Sequence, residues 1–326
     1  MSYHTYNLLL AQLERIMWRT GQLKYKKKQR GLDTMRETMR EILINQPDMY
    51  KTIDLPIIME EYMWLQNRQI IFPENDQLVK RLLKASAKIK RPDLLFRNDI
   101  DNFILALPKS FKIHKIDSTG ILVQVAPWHE RQELTDNFFD WVSLPRVENN
   151  STSTELAICI TYNMPNQSRE IKYRAVIPIS WVNGLLNAKN GHEYNQILGN
   201  FDKTKIVTGF DLSALESEYQ QVIVKLVLAI LLYKKTNPDK LKPGYPTIKR
   251  PKFEGITIKK TNDQTLFNIV SHESPTAHYR SWCFKQLIAD RYYQGEYSDW
   301  QKGSRIVFVR DTFVNVKDVD PATLVK

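Results

Sequence analysis

The segment 212–235 constrains the fold more than any other part of the chain. Nine side chains between residues 222 and 232 are branched aliphatic: Val222, Ile223, Val224, Leu226, Val227, Leu228, Ile230, Leu231 and Leu232. At 3.6 residues per turn they surround a helix on nearly all sides, which is typical of a helix inside a core. The apolar run 222–233 covers 12 residues and includes Lys225, whereas a membrane span needs about 20. We therefore expect a buried central helix, with Val224, Leu228 and Leu231 in the core, and no membrane partner.

The hydrophobic period changes near residue 105, and this change predicts the fold class. Helical spacing predicts four helices before residue 105. The first includes apolar positions between Tyr6 and Met17, and the others cover 32–45, 55–66 and 77–89. A period of two predicts strands over 120–125, 156–162 and 171–178, and their short connections favour antiparallel pairing. The prediction is an α+β fold. It has a helical N-terminal domain, 1–104, and a mixed domain, 105–326, with an antiparallel sheet, the central helix and a basic tail.

The C-terminal part is predicted to contain one more helix. Ser274 and Pro275 have the pattern of a helix start, so we expect a helix over 275–293. Arg280, Phe284, Leu287 and Arg291 would then share one stripe. Short strands are expected over 305–310 and 313–316.

Several classes of active site are absent from the sequence. The chain has 11 glycines and contains no P-loop, dinucleotide-binding or nucleophile-elbow motif. The two cysteines form no C-x-x-C pair, and no H-E-x-x-H motif exists. Glu60 and Glu61 are adjacent, which on a helix separates them by about 100°, so we interpret them as a solvated face. These patterns predict no catalytic residues, no metal and no cofactor.

The sequence also indicates the cellular compartment of the protein. The first residues lack the charged region and apolar core of a signal peptide. Two cysteines that lie far apart suit a reducing environment. We expect a cytoplasmic protein.

The net charge of +11 favours acidic partners, such as a nucleic acid, an anionic membrane surface or an acidic protein. Two segments, 15–40 and 234–260, each carry nine basic residues against two acidic ones. The candidate basic surface consists of Lys24, Lys26, Lys27, Lys28, Arg30, Lys249 and Arg250.

Arginines alternate with aromatic residues near the C-terminus. The candidate partner-binding residues are His278, Arg280, Trp282, Arg291, Tyr292, Tyr293, Arg305 and Arg310. Such residues can stack on bases and pair with phosphates, and they are equally typical of protein interfaces. A third interpretation is structural: the aromatic rings pack on the long helix and the arginines bond carbonyl groups.

The region that begins with the long helix resembles a known family. An apolar helix is followed by Pro238-Asp239, then Gly244-Tyr245-Pro246, then Arg250-Pro251-Lys252. In order and spacing this is similar to the type V-A anti-CRISPR proteins of phages and mobile elements, which lower the level of the Cas12a effector. Segments 103–108 and 136–141 are similar to that family's strand-forming middle. His278-Tyr279-Arg280 and the segment 307–315 are similar to its tail, so the resemblance covers about 94–315.

The resemblance implies a counter-defence protein without an active site of its own. Members of that family recognise the nascent N-terminal peptide of the effector and cause loss of its mRNA. By that resemblance this chain would bind a target polypeptide, with a Cas12a-type effector as the candidate, and its basic surface would meet RNA or the ribosome. The alternative function is a basic RNA- or DNA-binding protein or a ribonuclease.

Overall fold

The structure, a computed structural model, describes a set of ranges that covers most of the chain: 3–4, 6–21, 32–45, 54–67, 69–73, 75–96, 101–127, 130–145, 156–163, 172–199, 214–237, 243–244, 278–310 and 312–314. The basic residues Lys24, Lys26, Lys27, Lys28, Arg30, Lys249 and Arg250 lie outside these ranges, as does the proposed helix start at Ser274-Pro275.

The helices of the described ranges are concentrated before residue 100 and around the long apolar segment. They are α1 (Leu9–Arg19), α2 (Leu32–Asn45), α3 (Asp54–Asn67), α4 (Asp76–Lys84), α5 (Pro92–Leu95), α6 (Glu130–Val142), α7 (Val182–Asn187), α8 (Gly191–Gly199) and α9 (Ala214–Thr236). Local sequence explains the start of α4: the Asn75 side chain accepts a hydrogen bond of 2.8 Å from the Leu78 amide and caps the helix.

Strands occur throughout the described chain and range from two to eight residues. They are β1 (Tyr3–His4), β2 (Ile70–Ile71), β3 (Ser86–Lys88), β4 (Asp101–Leu105), β5 (Leu107–Pro108), β6 (Lys112–Ile113), β7 (Ile116–Asp117), β8 (Ile121–Pro127), β9 (Leu156–Asn163), β10 (Lys172–Pro178), β11 (Pro243–Gly244), β12 (His278–Arg280), β13 (Cys283–Leu287), β14 (Arg305–Val309) and β15 (Thr312–Val314).

A six-stranded sheet forms the centre, in the order β10-β9-β8-β4-β2-β11. Its pairs are antiparallel except β2 with β4. A smaller sheet, β14-β13-β3, combines an antiparallel hairpin with one parallel strand. Strands β2 and β3 come from the range predicted as the helical N-terminal domain and pair with strands of the second range.

Alternation along the central strands sends side chains to two covered faces. One face carries residues such as Phe103, Val123 and Ile160 and packs on α9. The other face carries Ile104 and Leu122 and packs on α1, α2, α3 and α6. Helices therefore lie on both sides of the sheet, and the α+β prediction is confirmed.

The central helix is confirmed in position and in burial. Prediction placed it at 212–235, and α9 covers Ala214–Thr236. Val224 and Leu228 are fully buried and Leu231 nearly so. The reason is that α9 shares one apolar cluster with the central strands and also contacts α4, α7, α8 and β14. The predicted strands over 120–125, 156–162, 171–178 and 305–310 are confirmed within the described residues.

Three local predictions are wrong. The helix expected over 77–89 ends at Lys84, and 86–88 form β3 because they pair with β13. Segment 136–141, matched to strand-forming residues, belongs to α6. The helix expected to run to residue 293 is replaced by β12, β13 and a loop of two 3-10 turns.

Candidate interaction surface and a buried ion cluster

The candidate surface is built on a C-terminal hairpin. Strands β12 and β13 pair with β15 and β14 in one continuous antiparallel register, from His278 opposite Val314 to Leu287 opposite Arg305. Phe284 is buried, and the Phe308 ring meets the Tyr233 ring of α9 edge-on at 5.2 Å. The hairpin is therefore fixed to the molecule's core, and its connecting loop, 288–304, extends beyond it.

Two buried polar side chains organise that loop. The Tyr293 hydroxyl donates to the Leu287 carbonyl at 2.6 Å and accepts from the amides of Gly303 (2.6 Å) and Arg305 (3.3 Å). The Gln286 amide group accepts from the backbone nitrogens of Lys90 and Arg91 and donates to the Gly303 carbonyl at 2.6 Å. Gly303 has a φ of +92°, which favours glycine. The loop is thus held in one shape before any partner arrives.

The outward side of the loop carries large apolar groups. Trp300 is 52% exposed and Ile288 is 40% exposed. The Tyr297 ring meets the Trp300 ring edge-on at 5.6 Å, and the Arg305 guanidinium carbon lies 3.4 Å from the Tyr297 ring centroid. Across the described ranges, Ile44 of α2 is the remaining large hydrophobic residue with comparable exposure. We call Tyr297 and Trp300 the aromatic platform, and Ile288 is an exposed apolar residue of the same loop.

The segment that carries the platform contains charges of both signs. Between Lys285 and Arg305 the sequence has four basic and three acidic side chains: Lys285, Arg291, Lys302, Arg305, Asp290, Glu296 and Asp299. The Lys302 ammonium lies 2.5 Å from a carboxylate oxygen of Asp290, with both groups largely exposed. A nucleic-acid surface typically shows a strong excess of positive charge, and this loop does not.

The predicted partner-binding residues divide into two groups. Tyr293 is a buried organiser of the loop, and Trp282 packs edge-on against Phe308 at 4.9 Å, with the Arg81 guanidinium 5.0 Å from its ring. Exposed or half-exposed residues form the second group: Arg291, Tyr292, Arg305 and Arg310. The stripe that was to join Arg280 to Arg291 does not exist, because Arg280 is in β12 and Arg291 is in the loop. His278 and Arg280 are placed in β12 by their backbone, and their side chains are outside the described part.

Sequence reasoning missed a cluster of buried charges on the face of the sheet that packs on α1, α2, α3 and α6. Glu60 and Glu61, interpreted as a solvated face, are 3% and 0% exposed. The Arg174 guanidinium donates to one Glu60 oxygen from Nε (3.0 Å) and Nη2 (2.7 Å). Thr161 donates to the other oxygen at 3.2 Å. The solvated-face interpretation is wrong because α3 lies between the sheet and α1, so both of its sides are covered.

Glu61 joins α3 to the N-terminal segment. Its carboxylate accepts from the amides of Leu9 (2.7 Å) and Leu10 (2.9 Å) and from the Tyr6 hydroxyl (2.8 Å). The Lys172 ammonium lies 3.7 Å from the same carboxylate and donates to the Asn7 carbonyl. A carboxylate at the start of α1 satisfies amides that have no partner within the helix.

Burial changes the acidity of this cluster. Burial raises the pKa of Glu61 above its usual value, although Lys172 and the bonded amides oppose the shift. Burial lowers the pKa of Lys172 to about 8, against the opposing effect of Glu61. Burial and the neighbouring Glu61 also raise the pKa of Tyr6. Since these groups are out of contact with solvent, the arrangement can fix α1 and α3 to β10.

Comparison with known proteins gives no match: no family model, no curated protein and no solved structure is similar enough to this chain. The resemblance to type V-A anti-CRISPR proteins therefore stays a prediction. Among the residues described, no helix is long and apolar enough to cross a membrane. Within those same ranges, no three His, Cys, Asp or Glu side chains lie close enough together to hold a metal ion.

Proposed function

We propose that this protein binds a polypeptide partner through the aromatic platform. The observation that supports the proposal is an exposed tryptophan on a loop whose shape is fixed by buried hydrogen bonds. Trp, Tyr and Arg are the side chains that contribute most to protein–protein binding. A loop that is already ordered loses less conformational entropy when it binds.

The mixed charge of the loop favours a polypeptide over a nucleic acid. Binding to a phosphate backbone depends on an excess of Lys and Arg, whereas the loop has nearly equal numbers of acidic and basic groups. Exposed apolar residues among charges of both signs are typical of the surroundings of a protein-binding hot spot.

The biological role belongs to the same proposal. As the sequence resemblance implies, the bound polypeptide would be a target of a phage or mobile-element counter-defence protein, such as a Cas12a-type effector recognised while it is translated. Binding would lower expression of that target. A role for RNA or the ribosome at the basic residues outside the described ranges is part of this proposal.

Affinity purification from translating cells tests the proposal. The bait proteins are wild type, the variant Ile288→Ser/Trp300→Ser and the control Ile44→Ser, which removes an exposed apolar side chain elsewhere. We expect wild type and the control to capture the same polypeptide with or without ribonuclease treatment, and the double variant to lose it while its melting temperature is unchanged. Equal capture by the folded double variant would overturn the proposal, as would capture that depends wholly on RNA.

A further inference from the structure

The outer face of the small sheet carries a patch of positive charge that the fold does not require. Strand β13 pairs in parallel with β3 in a register that places Lys285 beside Lys88. The preceding pair, Phe284 beside Ala87, is buried. Because side chains alternate along a strand, both lysines point to the opposite, solvent side, and both are exposed.

Two further groups complete this patch. The Arg291 guanidinium donates to the Tyr292 hydroxyl at 3.1 Å, and Lys285 faces the same hydroxyl. The hydrogen bond from Arg291 is the largest cause that lowers the pKa of Tyr292, and the charges of Lys285 and Arg291 add to it. We call Lys88, Lys285, Arg291 and Tyr292 the cationic patch.

Like charges side by side on a sheet are destabilising, so their presence needs a reason. Lysines often protect the open edge of a sheet from aggregation. That reason does not apply to Lys285, because β13 is the middle strand. It does not apply to Lys88 either, because side chains of α7 cap the outer edge of β3: Asn187 donates to the Ala87 carbonyl, and Asn183 accepts from the Ile89 amide at 3.0 Å.

No acidic side chain in the described part of the chain forms an ion pair with Lys88 or Lys285. The nearest acidic residues in sequence are Asp93 for Lys88 and Asp290 for Lys285. They are paired with Arg91 and Lys302 instead. The cationic patch is therefore uncompensated within these ranges, and an anion that bound there would relieve the repulsion between the lysines.

The patch adjoins the aromatic platform. Arg305 donates from Nη1 to the backbone carbonyl of Tyr292, and its guanidinium stacks on the Tyr297 ring of the platform. One extended segment could therefore contact apolar groups at the platform and positive groups on the outer face of the sheet.

We propose that the cationic patch binds a carboxylate-rich segment of the partner polypeptide. This inference rests on the proposed function, and it specifies the partner as one with Asp or Glu residues next to its apolar anchor. Carboxylates fit the site because separate lysine ammonium groups and a guanidinium can each pair with one side-chain carboxylate. Electrostatic attraction of this kind accelerates association and selects the partner.

Fluorescence anisotropy with defined probes tests the inference. The probes are labelled octaglutamate, octaglutamine and octauridylate, and the proteins are wild type, Lys88→Gln/Lys285→Gln and the control Lys109→Gln/Lys189→Gln. The control removes the same charge from exposed lysines elsewhere. Each exposed ion pair contributes a factor of about three to the binding affinity. We therefore expect octaglutamate to bind the double variant about tenfold more weakly than the control. Octaglutamine should not bind.

Two outcomes would overturn the inference. One is equal octaglutamate affinity for the double variant and the control, with Arg291→Gln also unchanged. The other is that wild type binds octauridylate more tightly than octaglutamate and the double variant loses that binding, which would assign the patch to phosphates. Failure of the proposed function gives a different result. In that case Ile288→Ser/Trp300→Ser would still capture the polypeptide in the affinity purification, whatever the affinity for octaglutamate.

Discussion

Two neighbouring carboxylates on α3 stabilise different contacts. Glu60 is paired with Arg174 across the sheet, and Glu61 holds the start of α1. Removing one member of a buried pair leaves an uncompensated charge, which costs much more than replacing both by apolar groups.

The first prediction concerns this pair. We expect Arg174→Met to lower the free energy of unfolding by about 3 to 5 kcal/mol, because the buried Glu60 carboxyl would lose its ion-pair partner. The variant Glu60→Leu/Arg174→Met should recover most of that loss. Urea denaturation of the three proteins measures both effects, and a single variant as stable as wild type would contradict the assignment.

The second prediction is a pH dependence that comes from Lys172. Its pKa of about 8 lies below the usual 10.5, so between about pH 8 and pH 10 the unfolded chain holds a proton that the folded chain has released. Stability contributed by this group must therefore rise with pH in that window, by at most about 1.4 kcal/mol per pH unit. The difference in stability between wild type and Lys172→Met, measured by urea denaturation across the window, should show this slope. If the stability of the two proteins changes with pH in the same way, Lys172 does not cause this pH dependence.

Sequence alone could not place these charges in the interior. The charged partners of Glu60 and Glu61 lie more than 100 positions away, on β10, and helix periodicity carries no information about such pairs. A signal did exist in β10: Lys172 and Arg174 are two positions apart in an otherwise apolar strand, and this places two positive charges on one face of the sheet.

At the scale of elements, α9 connects the central sheet to the hairpin sheet. Helix α9 was predictable from sequence because apolar side chains surround it on nearly all sides, which is typical of a helix inside a core. Strands β8, β9 and β10 were equally predictable from their β-branched and apolar residues.

We predict that Leu228→Ala lowers the free energy of unfolding by about 2 to 5 kcal/mol, since Leu228 is fully buried in α9. Val222→Ala, on the same helix but partly exposed, should cost less. Thermal or urea denaturation tests both variants, and similar small losses would mean that α9 is not central to the core.

The hairpin loop should depend on the Tyr293 hydroxyl. Tyr293→Phe leaves the buried Gly303 amide without this acceptor and should destabilise the loop by about 1 to 3 kcal/mol. Hydrogen exchange of the Gly303 amide should accelerate in Tyr293→Phe and stay unchanged in the control Tyr297→Phe. Unchanged exchange in both would show that Tyr293 does not organise the loop.

Within the hairpin, β14 was predicted from sequence, whereas β12 and β13 were assigned to a helix. Residues 280, 284, 287 and 291 have helical spacing by coincidence. In β13 the side chains of Phe284 and Gln286 are buried and that of Lys285, between them, is exposed, as expected for a strand. Strand β3 has no β-branched residue and depends on pairing with β13 about 200 positions away. In both cases tertiary contacts override local preference. Consequently Trp300 and Ile288 were absent from the predicted surface, and Tyr293 was assigned to it.

At the scale of the whole molecule, the layers of helix and sheet leave the hairpin loop at the outside of the structure, attached by its strands to α9. The described part of the chain uses its buried polar groups to fix helices and loops, and its most exposed aromatic side chain, Trp300, lies on this loop. We propose that this loop is where the protein contacts a polypeptide.

Site-specific photo-crosslinking tests that claim most directly. The photoreactive residue p-benzoylphenylalanine replaces Trp300 in one protein and Lys109, at an exposed turn, in a control, and both proteins are irradiated in translating cells. We expect a discrete covalent adduct at position 300 that is sensitive to protease, resistant to ribonuclease and absent at position 109. An adduct that ribonuclease removes, or no adduct at position 300 in a folded and expressed protein, would contradict it.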